Sequence, residues 1–277
     1  MTKPSPITCG KYTIRFEKTL LMGILNVTPD SFSDGGLFLD ANKAVDQGIQ
    51  LVSDGADFID IGGESTRPGS TPLSEKEELK RILPIVTRLI DEVSVPLSID
   101  TYKPGVADAC LQAGAHLIND ITGLTNPDMR KVIARYDVPV VIMHMKGTPK
   151  TMQHDPVYHD VLGEIKTFLQ TQITLSHQEG ISQIIVDPGI GFGKTLEHNL
   201  TIIKHLRTFT TLGCPVLIGP SRKSFIGMLT GLPATERLEG TIAAAVLASM
   251  NGAHILRVHD VKACKRALQL ADAVRDA

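Results

Sequence analysis

Polar residues with chemical potential recur at the ends of short apolar runs in this chain. Asn26 closes Leu20–Val27, Asp60 lies in Phe58–Gly63, and Asp100 falls near the end of Pro96–Thr101. Asn119 with Asp120, then His144, then Asp187 stand toward the ends of Leu117–Thr122, Pro139–His144 and Ile184–Gly189. Arg257 and His259 belong to Ile255–Asp260, and Ser221-Arg222-Lys223-Ser224 follows Pro215–Pro220. One polar strand end is an ordinary cap; a ring of them at one end of a barrel predicts a site. The acids and amide (Asp100, Asn119, Asp187) suit a ligand edge rich in N–H donors. The cations are Arg67, Lys223, Arg257 and His259. Arg257 and His259 alternate onto one strand face, and a guanidinium meets phosphate oxygens through two parallel bonds. Together these groups predict a polar heterocycle carrying a phosphate, the alternative being a salt-bridged mouth with no ligand.

Other motifs point elsewhere and fail on their spacing. Asp187-Pro-Gly-Ile-Gly-Phe-Gly-Lys-Thr195 ends like a phosphate-binding loop, but Pro188 stands where that loop needs its first glycine, and Lys194 breaks a dinucleotide fingerprint. His144, His154 and His159 with Asp155 and Asp160 match no usual zinc spacing, and read better as loop and cap residues. No Cys-His or Ser-His-Asp constellation is evident from spacing.

The elements that must position the ring are short apolar strands alternating with helical stretches. Continuous apolar runs are the mark of strands buried on both faces. Leu79, Ile82, Leu83, Val86, Leu89 and Ile90 form a helical stripe that Ser74 and Glu77 open as a capping box; Leu196, Leu200, Ile203, Leu206 and Phe209 form another. Strands two, four, six and eight are approached through Gly55, Gly114, Gly180 and Gly252, and strands three, five and seven through Pro96, Pro139 and Pro215. This alternation favours a closed ring over an open sheet. The expectation is a single (β/α)8 barrel over residues 1–277, with Ile7–Lys18 as a small hairpin plugging its bottom. Two long polar loops, Thr28–Leu37 and Gly62–Pro72, are expected to close over a ligand.

Composition excludes several classes. The chain has 277 residues, 42% of them hydrophobic and 21% charged, which is ordinary for a globular core. A net charge of −2 gives no field to attract nucleic acid or an anionic membrane. No apolar run reaches membrane-spanning length, no leader-like apolar core opens the chain, and the four cysteines are scattered. The expectation is a cytoplasmic protein with reduced thiols.

Gly23-Ile-Leu-Asn-Val-Thr-Pro-Asp-Ser-Phe-Ser-Asp-Gly-Gly36 and Asp60-Ile-Gly-Gly-Glu-Ser-Thr-Arg-Pro-Gly69 resemble the two signatures of the dihydropteroate synthase family. Ser98–Thr101, Ile118–Ile121, Asp187–Phe192, Ser221–Gly227 and Arg257–His259 follow in the family's order, so the resemblance spans about residues 20–260. It implies a (β/α)8 barrel, a homodimer and Mg2+. It also implies the joining of 6-hydroxymethyl-7,8-dihydropterin diphosphate to 4-aminobenzoate in folate synthesis. By this resemblance Asp100, Asn119, Asp187 and Lys223 hold the pterin, with Met143 and Phe192 lining its pocket. Thr66, Arg67, Arg257 and His259 meet the diphosphate, and Asn26 helps place the magnesium. Phe32, Asp34, Pro68 and Ser224 belong to the aminobenzoate side, where sulfonamide drugs compete. The catalytic set implied is Asp100, Arg67, Lys223, Arg257 and His259. Pro220 departs from the usual pattern and removes a backbone N–H ahead of Lys223.

Two other readings remain from the sequence. A methyltetrahydrofolate:corrinoid methyltransferase has a similar pterin-binding barrel but no diphosphate to grip, so the cations count against it. A barrel that binds pterin without chemistry would be expected to lack some of Asn26, Arg67, Lys223, Arg257 and His259, and all are present.

Overall fold

The computed structural model describes residues 4–28, 36–65, 70–148, 150–152 and 155–277. Eight parallel strands form one sheet: β3 (Leu20–Asn26), β4 (Phe58–Gly62), β5 (Leu97–Asp100), β6 (Leu117–Asp120), β7 (Val140–Met143), β8 (Ile184–Asp187), β9 (Leu217–Ile218) and β10 (Ile255–Val258). Their order is β8-β7-β6-β5-β4-β3-β10-β9, and a parallel bridge between Val186 and Val216 joins the two ends into a barrel. The expected fold is therefore present, and the observed strands lie within the apolar runs that announced them.

The barrel bottom is filled as the hairpin predicted. β1 (Ile7–Cys9) and β2 (Tyr12–Ile14) pair antiparallel around Gly10, whose φ of 58° is left-handed. Ile7, Cys9 and Phe16 pack with the inward side chains Met22, Phe58, Leu117, Val141, Ile185, Leu217 and Ile255. A barrel interior so filled is a core and leaves only its C-terminal mouth for ligands. A second apolar layer lies between the strands and the surrounding helices.

The helical stripe beginning near Ser74 is α2 (Glu75–Glu92), with both halves of its capping box made: Ser74 Oγ accepts from Glu77 N, and Glu77 accepts from Ser74 N at 3.0 Å. The stripe from Leu196 to Phe209 is not one helix. It divides into α6 (Leu196–Lys204) and α7 (Arg207–Thr210), and Leu200 is 40% exposed. The periodicity continues through a break in the helix because the second segment turns back onto the same core through Leu206 and Phe209.

The junction pattern has a backbone reason. Gly55, Gly114, Gly180 and Gly252 all take left-handed φ between 85° and 106°, which ends the preceding helix without a Cβ penalty. Pro96, Pro139 and Pro215 have no N–H to give, yet their carbonyls accept from Ile59, Ile118 and Val186 at 3.2, 3.3 and 2.9 Å. The alternation is less strict than the sequence suggests, because Asp137 and Gly213 are also left-handed just ahead of two of the prolines.

Candidate functional site

Strand register brings the polar ring together at the C-terminal mouth. Asp60 pairs with Ser98, Gly62 with Asp100, Asp100 with Asn119, and Met143 with Asp187 in the parallel ladders. Asp60 is fully buried and accepts from three side chains: Ser98 Oγ at 2.5 Å, Asn119 Nδ2 at 3.0 Å and Arg257 Nε at 2.5 Å. Arg257 also donates through Nη2 to Asp100 Oδ2 at 2.6 Å. The guanidinium whose spacing suggested a phosphate clamp thus lies between two carboxylates, with its side chain 21% exposed. Burial pushes the Asp100 carboxyl upward, and Arg257 opposes that shift.

Asp187 and Lys223 complete the enclosed part. Asp187 Oδ1 accepts from Gly189 N at 2.6 Å, and burial pushes its carboxyl up to about 6. Lys223 Nζ stands 4.0 Å from the Phe192 ring centroid, and burial pushes the ammonium down to about 8. Met143 is buried at the end of β7 beside this loop. The glycines that imitate a phosphate loop have a packing reason. At Gly189 (φ 69°) a Cβ would lie 1.9 Å from His144 O, and at Gly191 (φ 79°) it would lie 2.9 Å from Lys223 Cδ.

The segment carrying Lys223 is tied down locally. Arg222 has φ 56° and pairs with Asp260 through Nε at 3.0 Å and Nη2 at 2.7 Å, while Arg237 Nη1 donates to the carbonyls of Arg222 and Lys223. Pro220, buried, receives a bond at its carbonyl from Lys223 N at 3.4 Å. Ser224 begins α8 (Ser224–Thr230) and is exposed. Ser221 Oγ lies 2.9 Å from His259 Nδ1 and accepts from His259 N at 3.2 Å. Asn26 ends β3, half-buried, opposite Gly62 in the ladder. Phe32, Asp34, Thr66, Arg67 and Pro68 lie outside the described residues.

Three features of the site go beyond the sequence reading. The first is the role of Asp60: its place in Phe58–Gly63 puts it in the polar ring, but nothing in the local sequence marks it as the hub. The second is buried Lys194, whose Nζ donates to Phe192 O at 2.9 Å and His144 O at 3.2 Å and lies 3.1 Å from His144 Nδ1. The third is Glu64, which accepts from Leu73 N and Tyr102 Oη at 2.7 Å each and from Lys103 Nζ at 2.6 Å, joining both sides of the second long loop. Among the described residues no three His, Cys, Asp or Glu side chains gather as a metal nest, and His144 is instead pushed down to about 3 by burial.

Comparison with known proteins agrees with this geometry. The family model for pterin binding enzymes matches residues 22–259. A dihydropteroate synthase of Synechocystis sp. is 46% identical over 276 residues, covering 98% of this chain and 96% of its own. The Escherichia coli dihydropteroate synthase is 46% identical over 259 residues, covering 93% and 92%. The structure of the Yersinia pestis dihydropteroate synthase with a sulfonamide drug superimposes with a TM-score of 0.94 at 44% identity, covering 99% of this chain and 100% of that one. That of the Xanthomonas albilineans dihydropteroate synthase in complex with 7,8-dihydropteroate gives 0.90 at 40% identity, covering 99% and 100%. With the family model covering most of the chain and relatives this similar over nearly their whole length, the chain belongs to the dihydropteroate synthases among the pterin-binding enzymes.

Proposed function

We propose that this transferase joins 6-hydroxymethyl-7,8-dihydropterin diphosphate to 4-aminobenzoate, giving 7,8-dihydropteroate and diphosphate. The observation that carries the reading is the enclosed set Asp100, Asn119, Asp187 and Lys223, held at one mouth with Arg257 among the carboxylates. Such a set offers acceptors to the N–H-rich edge of a pterin and positive charge to the phosphate end. Phe192 and Met143 supply the apolar faces against which a flat ring rests. Neither a methyltransferase-like barrel nor a binding-only one has a use for so many cations around a leaving diphosphate.

In the reaction the C–O bond between the pterin methylene and diphosphate breaks, and the aryl amine forms a C–N bond at the same carbon and releases a proton. Arg67, Arg257 and His259, together with Thr66, meet the diphosphate and the negative charge growing on it as it leaves. Asp100 stabilises the positive charge that develops on the dihydropterin. Phe32, Asp34, Pro68 and Ser224 receive the aminobenzoate. No enzyme nucleophile is required.

The donor set fits Mg2+. Asn26, at the end of β3, would hold such an ion through its amide oxygen, a hard oxygen donor of the kind magnesium prefers. When bound, the ion supplies further positive charge to the departing diphosphate. We assign the whole of residues 1–277 to one barrel domain working in the cytoplasm. We also assign a homodimer, supported by exposed apolar side chains on neighbouring helices: Met228 and Leu229 on α8 and Leu247 on α9 (Leu238–Met250). Among the described residues no helix is long and apolar enough to cross a membrane.

The test is diphosphate release from the dihydropterin diphosphate with and without 4-aminobenzoate and Mg2+. Mg2+-dependent release that yields dihydropteroate supports the assignment. Pterin binding without release would leave a binding protein or an inactive relative.

A further inference from the structure

Asp60 is buried to zero exposure in a strand whose neighbours are apolar. A barrel of this kind has no packing need for a carboxylate there, and burying one costs several kcal/mol unless it is paired. Here it is paired on every side. Oδ1 receives Ser98 from β5, and Oδ2 receives both Asn119 from β6 and Arg257 from β10. An ionised carboxylate only accepts. Asn119 must therefore turn its NH2 inward and its Oδ1 outward, and Arg257 must spend Nε on Asp60 while Nη2 reaches Asp100. One buried side chain dictates how two members of the mouth face.

We propose that Asp60 is a positioning residue that sets the donor–acceptor polarity of the pterin pocket, making Asn119 an acceptor and aiming Arg257 at Asp100. The inference rests on the pterin reading given above. It adds a specificity rule: a ring with an N–H opposite Asn119 is admitted, and one with a carbonyl there is refused. Asp60 touches no substrate and acts only through its two clients.

Replacements of the carboxylate separate orientation from charge. In Asp60→Asn the amide oxygen still accepts from Asn119 and Arg257, provided its NH2 donates to Ser98; in Asp60→Ala nothing holds Asn119. Binding of the dihydropterin diphosphate, measured by calorimetry, should weaken about tenfold or more in Asp60→Ala and stay within about threefold in Asp60→Asn. The KM for 4-aminobenzoate should move less than about threefold in both. Unchanged binding in Asp60→Ala, equal losses in both variants, or a joint rise of both KM values would overturn the proposal.

Should Asp60→Ala fail to fold, the wild-type protein carries the same test. A ring analogue with a carbonyl in place of the N–H opposite Asn119 should bind about tenfold or more weakly than the pterin, because the outward Asn119 Oδ1 cannot turn while Asp60 holds its NH2. Equal binding of the two rings would overturn the proposal. Wild-type protein that forms no dihydropteroate at all would instead count against the parent reading, which these variants leave alone.

Discussion

Arg257 Nη2 donates to Asp100 Oδ2 at 2.6 Å, tying the strand that ends the barrel to one near its opposite wall. The guanidinium is thereby paired before any phosphate arrives, and its single positive charge is shared between Asp60 and Asp100. Removing it leaves two carboxylates in a poorly solvated mouth. Arg257→Ala should lose about 3–5 kcal/mol of stability, since breaking a buried pair strands the partner charge. Turnover should fall far more than Asp34→Ala lowers binding of the pterin diphosphate. Denaturant unfolding and steady-state kinetics check both halves. Equal, small effects would remove Arg257 from its assigned role.

Burial works in opposite senses on Asp187 and Lys223, pushing the acid up to about 6 and the ammonium down to about 8. If pterin binding needs carboxylate and ammonium together, kcat/KM for the pterin substrate should be bell-shaped with limbs near those values. Asp100, also raised by burial, adds to the acid limb. Stability of the unliganded protein runs the other way on that side. A raised carboxyl favours the fold below its unfolded value and loses that contribution as pH rises through about 6. Asp187→Asn should flatten both trends. A pH profile unaltered by that change would place the acid limb on another group.

The barrel was legible because parallel strands covered on both faces have to be apolar throughout. The left-handed glycines at 55, 114, 180 and 252 were legible because few other residues take that backbone. The ring at the mouth was legible as a set, from position alone. Its wiring was not. The Asp60–Arg257 bond joins residues 197 apart and the Lys194–His144 contact residues 50 apart, and no local spacing encodes either. Arg257 looked like a free phosphate ligand because the sequence does not show that strand register puts two carboxylates beside it.

Glu64 closes the base of the second long loop. Burial pushes its carboxyl up, but bonds from Lys103, Leu73 N and Tyr102 outweigh this and leave it below the usual carboxylate range. Lys103 also pairs with Glu78, which is almost fully buried. Glu64→Gln weakens the ion pair while sparing a bond to Leu73 N. We expect the KM for 4-aminobenzoate to rise severalfold, on the order of 1 kcal/mol, with pterin binding nearly unchanged. Fluorescence or calorimetric titration of each substrate separately reads this. An equal loss for both would mean that Glu64 supports the whole mouth.

Lys194 is a further buried cation, 3% exposed, and burial pushes its ammonium down to about 7. Its Nζ spans the end of β7 and the loop after β8 by holding the carbonyls of His144 and Phe192. Because its folded value lies below its unfolded one, the unfolded chain binds more protons between about 7 and the ordinary lysine range near 10.5. This group therefore makes stability rise with pH across that window. Lys194→Met removes the buried charge and also two donors from the carbonyls. The variant should lose that upward slope, and Phe192 should hold the pterin face less firmly, raising the pterin KM. Urea unfolding of both proteins at several pH values between 7 and 10 measures the slope. Parallel curves for the two proteins would mean that Lys194 keeps its proton throughout, with the His144 and Phe192 carbonyls sufficient to solvate it.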